Sequence, residues 1–313
     1  MLARSRSAAY AALVVTSALW GSNAVVARGL LDSMSATQLA FARWLVVLVA
    51  LAPFAWAERE DIRRALRTDA RAYAILALLG FAPQTLVVYS ALAHTTAVVI
   101  GLLNSAIPVL IVAVAAVWHS RRPHLLEGAG LAISSVGVLT IVAQGDLAAL
   151  LALRFNGADL LAFVGMFIWA LYTLRLARRP RGLSLPALVF VCGAIGELAI
   201  APLAVADALR HGVATLGGAT ALGVVYIGLL PSLGAALLYG FGVTRLGAVR
   251  AGIFTHLVPV FSALFATTFL GERLYGFHAV GFVLVAGGAI VCCMTPGPML
   301  SSARGARPDA ATS

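Results

Sequence analysis

Ten stretches of about twenty predominantly apolar residues follow one another along this chain, separated by short joins that gather most of its charge. A helix needs about 20 apolar residues to cross the hydrocarbon core of a bilayer. Within lipid every backbone N–H and C=O must be satisfied inside the segment, so helices are the expected form. The stretches fall at roughly 8–28, 36–57, 72–92, 95–118, 123–143, 157–177, 184–206, 218–241, 246–270 and 274–294, with the tightest joins near His94, Arg121 and Glu272. A single soluble core cannot absorb them. Of 313 residues, 61% are hydrophobic and 11% charged, against about 45–50% and about 25% in soluble domains. The expected class is an all-α integral membrane protein whose first apolar run, behind Arg4 and Arg6, is a retained helix and not a cleaved signal.

The charge sharpens this. The formal net charge is +10, which in a soluble chain would suggest a nucleic-acid partner; here the cations cluster between apolar runs, as positive-inside loops do, and no nucleic-acid partner is expected. With the N-terminus inside, alternate joins place sixteen arginines on the inner side and four (Arg28, Arg154, Arg210 and Arg273) on the outer. That bias predicts an inner (plasma) membrane protein with both termini cytoplasmic, and losing one span would scramble it. All 22 basic residues are arginine, so there is no lysine for a Walker A loop or a Schiff-base cofactor. Cys192, Cys292 and Cys293 lie in apolar runs with no disulfide or metal spacing. No cofactor and no metal are expected.

The chain also repeats itself. A shift of 151 residues lays Leu78-Leu79 on Leu229-Leu230, Ala97-Val98 on Ala248-Val249, Gly101 on Gly252, Pro108-Val109 on Pro259-Val260, and Gly130 and Gly137 on Gly281 and Gly288. A shift of 149 pairs Trp20 with Trp169 and Ala52-Pro53 with Ala201-Pro202. The unit has five spans, and five is odd, so the second copy enters the membrane upside down. Inverted repeats of this kind recur in secondary transporters, with the substrate site near the midplane between the halves. The expected organisation is a first repeat over 1–144, an inverted second over 145–296, and a disordered cytoplasmic tail over 297–313.

Several segments then resemble a known family: Ala18-Leu19-Trp20-Gly21-Ser22-Asn23, Phe41-Ala42-Arg43-Trp44, Tyr89-Ser90-Ala91-Leu92, Leu103-Asn104-Ser105-Ala106-Ile107-Pro108-Val109, Leu257-Val258-Pro259-Val260 and Leu270-Gly271-Glu272-Arg273-Leu274. The ordered set resembles the EamA-type transporters of the drug/metabolite transporter superfamily. One departure stands out: the turn matching Gly271-Glu272-Arg273 in the first repeat reads Ser120-Arg121-Arg122-Pro123, without the acid. The resemblance implies an alternating-access carrier, a monomer or weak homodimer, with a central cavity for a small-molecule solute such as an amino acid, metabolite or drug-like compound, and export as a common direction.

Polar groups within a bilayer are costly and often functional. Arg43 lies about 12 Å into the second span; its planar fork suits a carboxylate or phosphate, or else it is a hydrogen-bonding post between helices. Glu197 sits near the middle of the seventh span. A carboxyl in an apolar interior favours its protonated form, which suits a proton carrier; an ion pair with an arginine such as Arg43 is the alternative. Arg250, one turn inside the ninth span, is expected to snorkel to the headgroups. Trp20 with Asn23, and Trp169 with Tyr172, each place two such groups on one helix face, for a cavity wall or for packing. Gln84, Tyr89 and Asn104 face Tyr239 and His256 under the pseudo-symmetry. Asn104 and His256 precede Pro108 and Pro259, where they satisfy carbonyls freed by the proline or form a gate. Gly130, Ser134, Gly137, Gly193 and Gly196 read as close-packing surface, and Glu58–Arg71 as a solvated or interfacial loop helix.

Two other functions compete with transport: a membrane-embedded enzyme and a non-transporting scaffold. His-Glu-x-x-His, a Gly-x-Ser-x-Gly elbow and paired intramembrane aspartates are all missing from the sequence, and its six histidines are scattered.

Overall fold

The computed structural model describes residues 2–92, 94–95, 100, 103–119, 124–146, 148, 156–215, 217–270 and 273–294. Among these, every regular element is helical. Nine helices are long and apolar enough to cross a membrane, and a shorter one, Ala106–Trp118, makes ten. In chain order we call them span 1 (Leu2–Leu31), span 2 (Ala36–Ala57), span 3 (Arg59–Leu92), span 4 (Ala106–His119), span 5 (Leu125–Val142), span 6 (Gly157–Ala177), span 7 (Leu185–His211), span 8 (Gly218–Leu246), span 9 (Ala248–Phe269) and span 10 (Gly276–Cys293). The joins expected at Arg121 and Glu272, and the expected tail over 297–313, lie outside the described residues.

Spans 3 and 9 and the join between spans 8 and 9 depart from the sequence reading. Span 3 begins earlier: the segment expected as a separate loop helix forms its first turns, kinked at Asp69 (φ −133°, ψ 28°). Exposed pairs Arg63–Glu60 at 2.8 Å and Arg64–Asp61 at 3.2 Å decorate it. Ala65 is buried and Ile62 and Leu66 pack on the core, which draws this stretch against the protein. Span 3 breaks again at Phe81, two residues before Pro83, because a proline cannot continue the hydrogen-bond ladder behind it. Span 9 passes through a tight turn at Phe254–His256, just ahead of Pro259. Gly247 alone joins spans 8 and 9, at φ 84°, a backbone conformation that glycine adopts without strain.

The packing obeys a two-fold exchange. Span 1 lies on spans 8 and 9, and span 6 lies on spans 3 and 4; span 2 lies on span 7, and span 5 on span 10. Exchanging 1 with 6, 3 with 8 and 4 with 9 turns one set of contacts into the other. Counterparts that touch run antiparallel, as inversion requires. A Cβ on Gly130 would lie 2.5 Å from the Gly288 carbonyl oxygen, and one on Gly137 would lie 2.8 Å from that of Gly281.

Spans 2 and 7 show the same inversion in their caps. Ser35 caps span 2 by accepting from Gln38 N–H at 3.1 Å, and its hydroxyl donates to Asp207 Oδ2, near the far end of span 7, at 2.6 Å. Ser184 caps span 7 by accepting from Ala187 N–H at 3.2 Å, and donates to Glu58 Oε1 at the far end of span 2 at 2.6 Å. Ser35 and Ser184 are 149 residues apart, and so are Glu58 and Asp207. Each serine therefore satisfies an orphan helix N–H and ties its helix to the other, at opposite ends of the pair. Ser35→Ala and Ser184→Ala should each cost about 1 kcal/mol. Their effects should add, since they share no partner; melting temperatures in detergent of the two single variants and the double variant test this.

Candidate substrate cavity

Spans 1 to 6, 8 and 9 enclose a cavity of about 460 Å³, within the usual range of roughly 300–1,000 Å³ for small-molecule sites. Nine of the ten residues proposed from sequence as its lining are there: Trp20, Asn23, Arg43, Gln84, Tyr89, Asn104, Trp169, Tyr172 and Tyr239.

One wall is aromatic. Trp20 and Trp169 meet edge-to-face with ring centroids 5.3 Å apart. They are each other's repeat counterparts, so the pseudo-two-fold axis passes between them. Tyr239 packs against both, at 5.1 Å and 5.5 Å, and Tyr172 lies 4.9 Å from Trp169. The tyrosine tethers are related as well: Tyr89 of span 3 donates to Asn23 Oδ1 of span 1 at 3.2 Å, while Tyr239 of span 8 shares a hydrogen bond with Thr173 of span 6 at 3.0 Å.

Another part of the lining is cationic, and there the symmetry fails. Arg43 is 6% exposed. Its Nε donates to Ser232 Oγ at 2.8 Å and its Nη1 to the Tyr89 hydroxyl, whose ring lies under the guanidinium at 5.4 Å. The counterpart position, at the 149-residue shift, is the neutral Cys192. Among the described residues no carboxylate pairs with Arg43, and its Nη2 has no partner. Gln84 and Asn104 line the cavity, and their side-chain amides have no hydrogen-bond partner among the described residues. Arg28 and Gln144, both exposed, lie at the mouth, which is on the side of the C-terminal ends of spans 1 and 5. No Asp or Glu is among the described lining residues.

The remaining sequence candidates fall elsewhere. His256 is 1% exposed and lies behind the wall; Nε2 donates to the Ser105 carbonyl at 3.0 Å, and Nδ1 meets Ser134 Oγ at 2.7 Å. It bridges spans 9, 4 and 5 and does not line the cavity. Glu197 is 6% exposed, and neither carboxyl oxygen has a hydrogen-bond partner; the alternative ion pair with Arg43 does not form. Arg250, expected to snorkel, is instead 3% exposed, because span 9 starts against spans 4, 6, 8 and 10 and not at the lipid boundary. Among the described residues no cysteine forms a disulfide, and Cys192 and Cys292 are buried. Sequence reasoning missed Arg28, Ser232 and Gln144. The one local signal among them was Ser232, which follows an intramembrane proline, Pro231.

Ten spans, antiparallel counterparts and a central cavity on the exchange axis define a multi-pass membrane carrier. The chain belongs to the EamA-like transporter family, whose model matches residues 7–143 and again 156–294. It is 25% identical over 276 residues to an "Uncharacterized transporter" of Archaeoglobus fulgidus, covering 88% of this chain and 94% of that one. It is 28% identical to a protein of Streptantibioticus cattleyicolor named "Probable terminal-alkyne amino-acid exporter", covering 83% and 85%. A solved crystal structure superposes with a TM-score of 0.73 at 20% identity, over 91% of this chain and 96% of the other; that likeness shows the fold.

Proposed function

We propose that this transporter exports a small solute carrying a carboxylate or similar planar anion beside an apolar body, across an inner (plasma) membrane with both termini cytoplasmic. The observation that carries the reading is Arg43: a buried guanidinium in the cavity wall, held by neutral groups and facing no described acid. A planar fork of this kind matches carboxylates in a way an ammonium does not. The aromatic wall offers the apolar remainder a surface, and the amino-acid exporter relative fits such a solute. Repeats 1–144 and 145–296 are the two bodies that rock about the Trp20–Trp169 axis. Given the arginine bias, the exposed lining residues Arg28 and Gln144 support reading this as an outward-facing state.

Proteoliposomes preloaded with apolar amino acids should release them faster than empty-vector controls, and faster than the matching amides. Turnover of a solute with no flux would instead favour a membrane-embedded enzyme. Glu197 is the candidate for proton coupling: an ionised carboxylate without a partner in an apolar interior is costly, which ties its charge state to the conformation of the protein. Glu197→Gln should keep the fold and flatten the pH dependence of flux; a profile identical to wild type removes the proton role.

A further inference from the structure

The wall that faces Arg43 is a defect in span 8, and the defect has a definite construction. Pro231 has no N–H, so the carbonyl of Ile227, four residues earlier, loses its helical donor. The segment Gly228–Gly234 winds as a π-helix, with Ala235 N–H reaching back to Leu230 O. Within this wider turn the Ser232 hydroxyl also donates to Ile227 O, at 2.6 Å. A carbonyl can only accept, so this bond fixes the hydroxyl hydrogen. Ser232 Oγ is left as a pure acceptor, and Arg43 Nε takes that position at 2.8 Å. Ser232 is 3% exposed. The two helices also come together closely at this level: a Cβ on Gly228 would stand 2.7 Å from the Val46 side chain and 3.0 Å from the Arg43 carbonyl oxygen. The glycine, the proline and the serine of one short segment thus form a seat for the backbone and side chain of Arg43.

We infer that Ser232 is a positioning residue for anion selectivity: with Tyr89 it fixes the plane of the Arg43 guanidinium, so that the remaining N–H groups of its terminal nitrogens are presented to a carboxylate in the cavity. Two ties, at Nε and at Nη1, define the plane of a rigid fork; with one tie it swings about the remaining bond. The inference rests on the reading of Arg43 as the anion site.

The test uses detergent-solubilised full-length protein and two probes of nearly the same shape, the anion phenylacetate and the neutral phenylacetamide, with binding read from intrinsic tryptophan fluorescence, Trp20, Trp44 and Trp169 lining the cavity. Wild type should favour phenylacetate at least about tenfold, as charge-assisted bonds do. Ser232→Ala should lower that ratio to about threefold or less while leaving the amide's Kd unchanged. Ser232→Thr, which keeps the hydroxyl, should restore the ratio. Tyr89→Phe, which leaves the Ile227 carbonyl capped, should lower it independently of any defect in span 8. Retention of the full ratio in Ser232→Ala, together with its loss in Arg43→Ala, would overturn the role of Ser232 and leave the anion site standing. No preference for phenylacetate in wild type would overturn both. Equal weakening of both probes in Ser232→Ala would make Ser232 a structural plug for Ile227 and nothing more.

Discussion

Replacing Arg43 with alanine is expected to lower transport of an anionic solute by about 10- to 150-fold in kcat/KM, the range set by losing one charge-assisted hydrogen bond of about 1.5–3 kcal/mol. The protein should still accumulate. Ser232 keeps its bond to Ile227 O and Tyr89 keeps Asn23, so removing the guanidinium strands neither hydroxyl. It also removes a buried cation that has no acidic partner among the described residues. Flux of an uncharged analogue should hold or rise, because the cavity gains room and loses a desolvation cost. Arg43→Lys should fall between: a compact ammonium keeps the charge, but it cannot hold Ser232 and Tyr89 with two fixed donors and still present a planar edge. Flux of both solutes and the level of protein in the membrane decide the matter. A variant that loses protein in step with flux, for charged and neutral solutes alike, would make Arg43 a bracket between spans 2, 3 and 8 and no anion site.

What the sequence made legible here is what one-dimensional spacing encodes. Twenty apolar residues span a bilayer whatever packs against them, so the count of ten follows from lengths and polar joins. The odd number of spans per repeat dictates inversion, and polar or aromatic residues at mid-depth mark the cavity, which is why Trp20, Arg43, Gln84, Tyr89 and Asn104 were found together. Depth along a helix does not reveal which neighbour a face meets. His256 sits at the right depth and beside the right proline, yet Ser105 O and Ser134 take both of its ring nitrogens. Arg250 was placed at the lipid boundary by counting turns; three-dimensional packing buries it. Ser232 and Arg28 escape a sequence reading for opposite reasons. Nothing but the neighbouring Pro231 sets the serine apart from other small residues of an apolar span. The arginine counts as an outer-side cation until folding brings the end of span 1 to the cavity lining. The caps formed by Ser35 and Ser184 carry a repeat signal at their own shift, but one spread over four polar residues at helix ends, where boundaries are hardest to read.

The second large effect belongs to the seam between spans 5 and 10. Gly288→Ala is expected to prevent accumulation of folded protein or to cut its melting temperature in detergent by many degrees, whereas Gly287→Ala, one residue earlier on the same helix, should be neutral or slightly stabilising. A Cβ on Gly288 would stand 2.5 Å from both the Gly130 carbonyl oxygen and the Ser134 nitrogen, while one on Gly287 meets nothing within 4 Å. The obstacles at Gly288 are backbone atoms, which no rotamer change can move aside, so the helices must separate and surrender the close contact that holds them. In lipid that loss is not recovered by hydrophobic burial, because the bilayer is as apolar as the interface. At Gly287 only the helix-propensity gain remains, roughly 0.5–1 kcal/mol. Gly130→Ala should behave like Gly288→Ala, since its Cβ would meet the Gly288 carbonyl oxygen at 2.5 Å, and Gly128→Ala, with open space around it, like Gly287→Ala. The double variant Gly130→Ala/Gly288→Ala should cost less than the sum of its parts, because the first methyl group already pushes the backbones apart for the second. Similar stabilities for the Gly287 and Gly288 variants would mean that this antiparallel seam does not set the distance between the last spans of the two repeats.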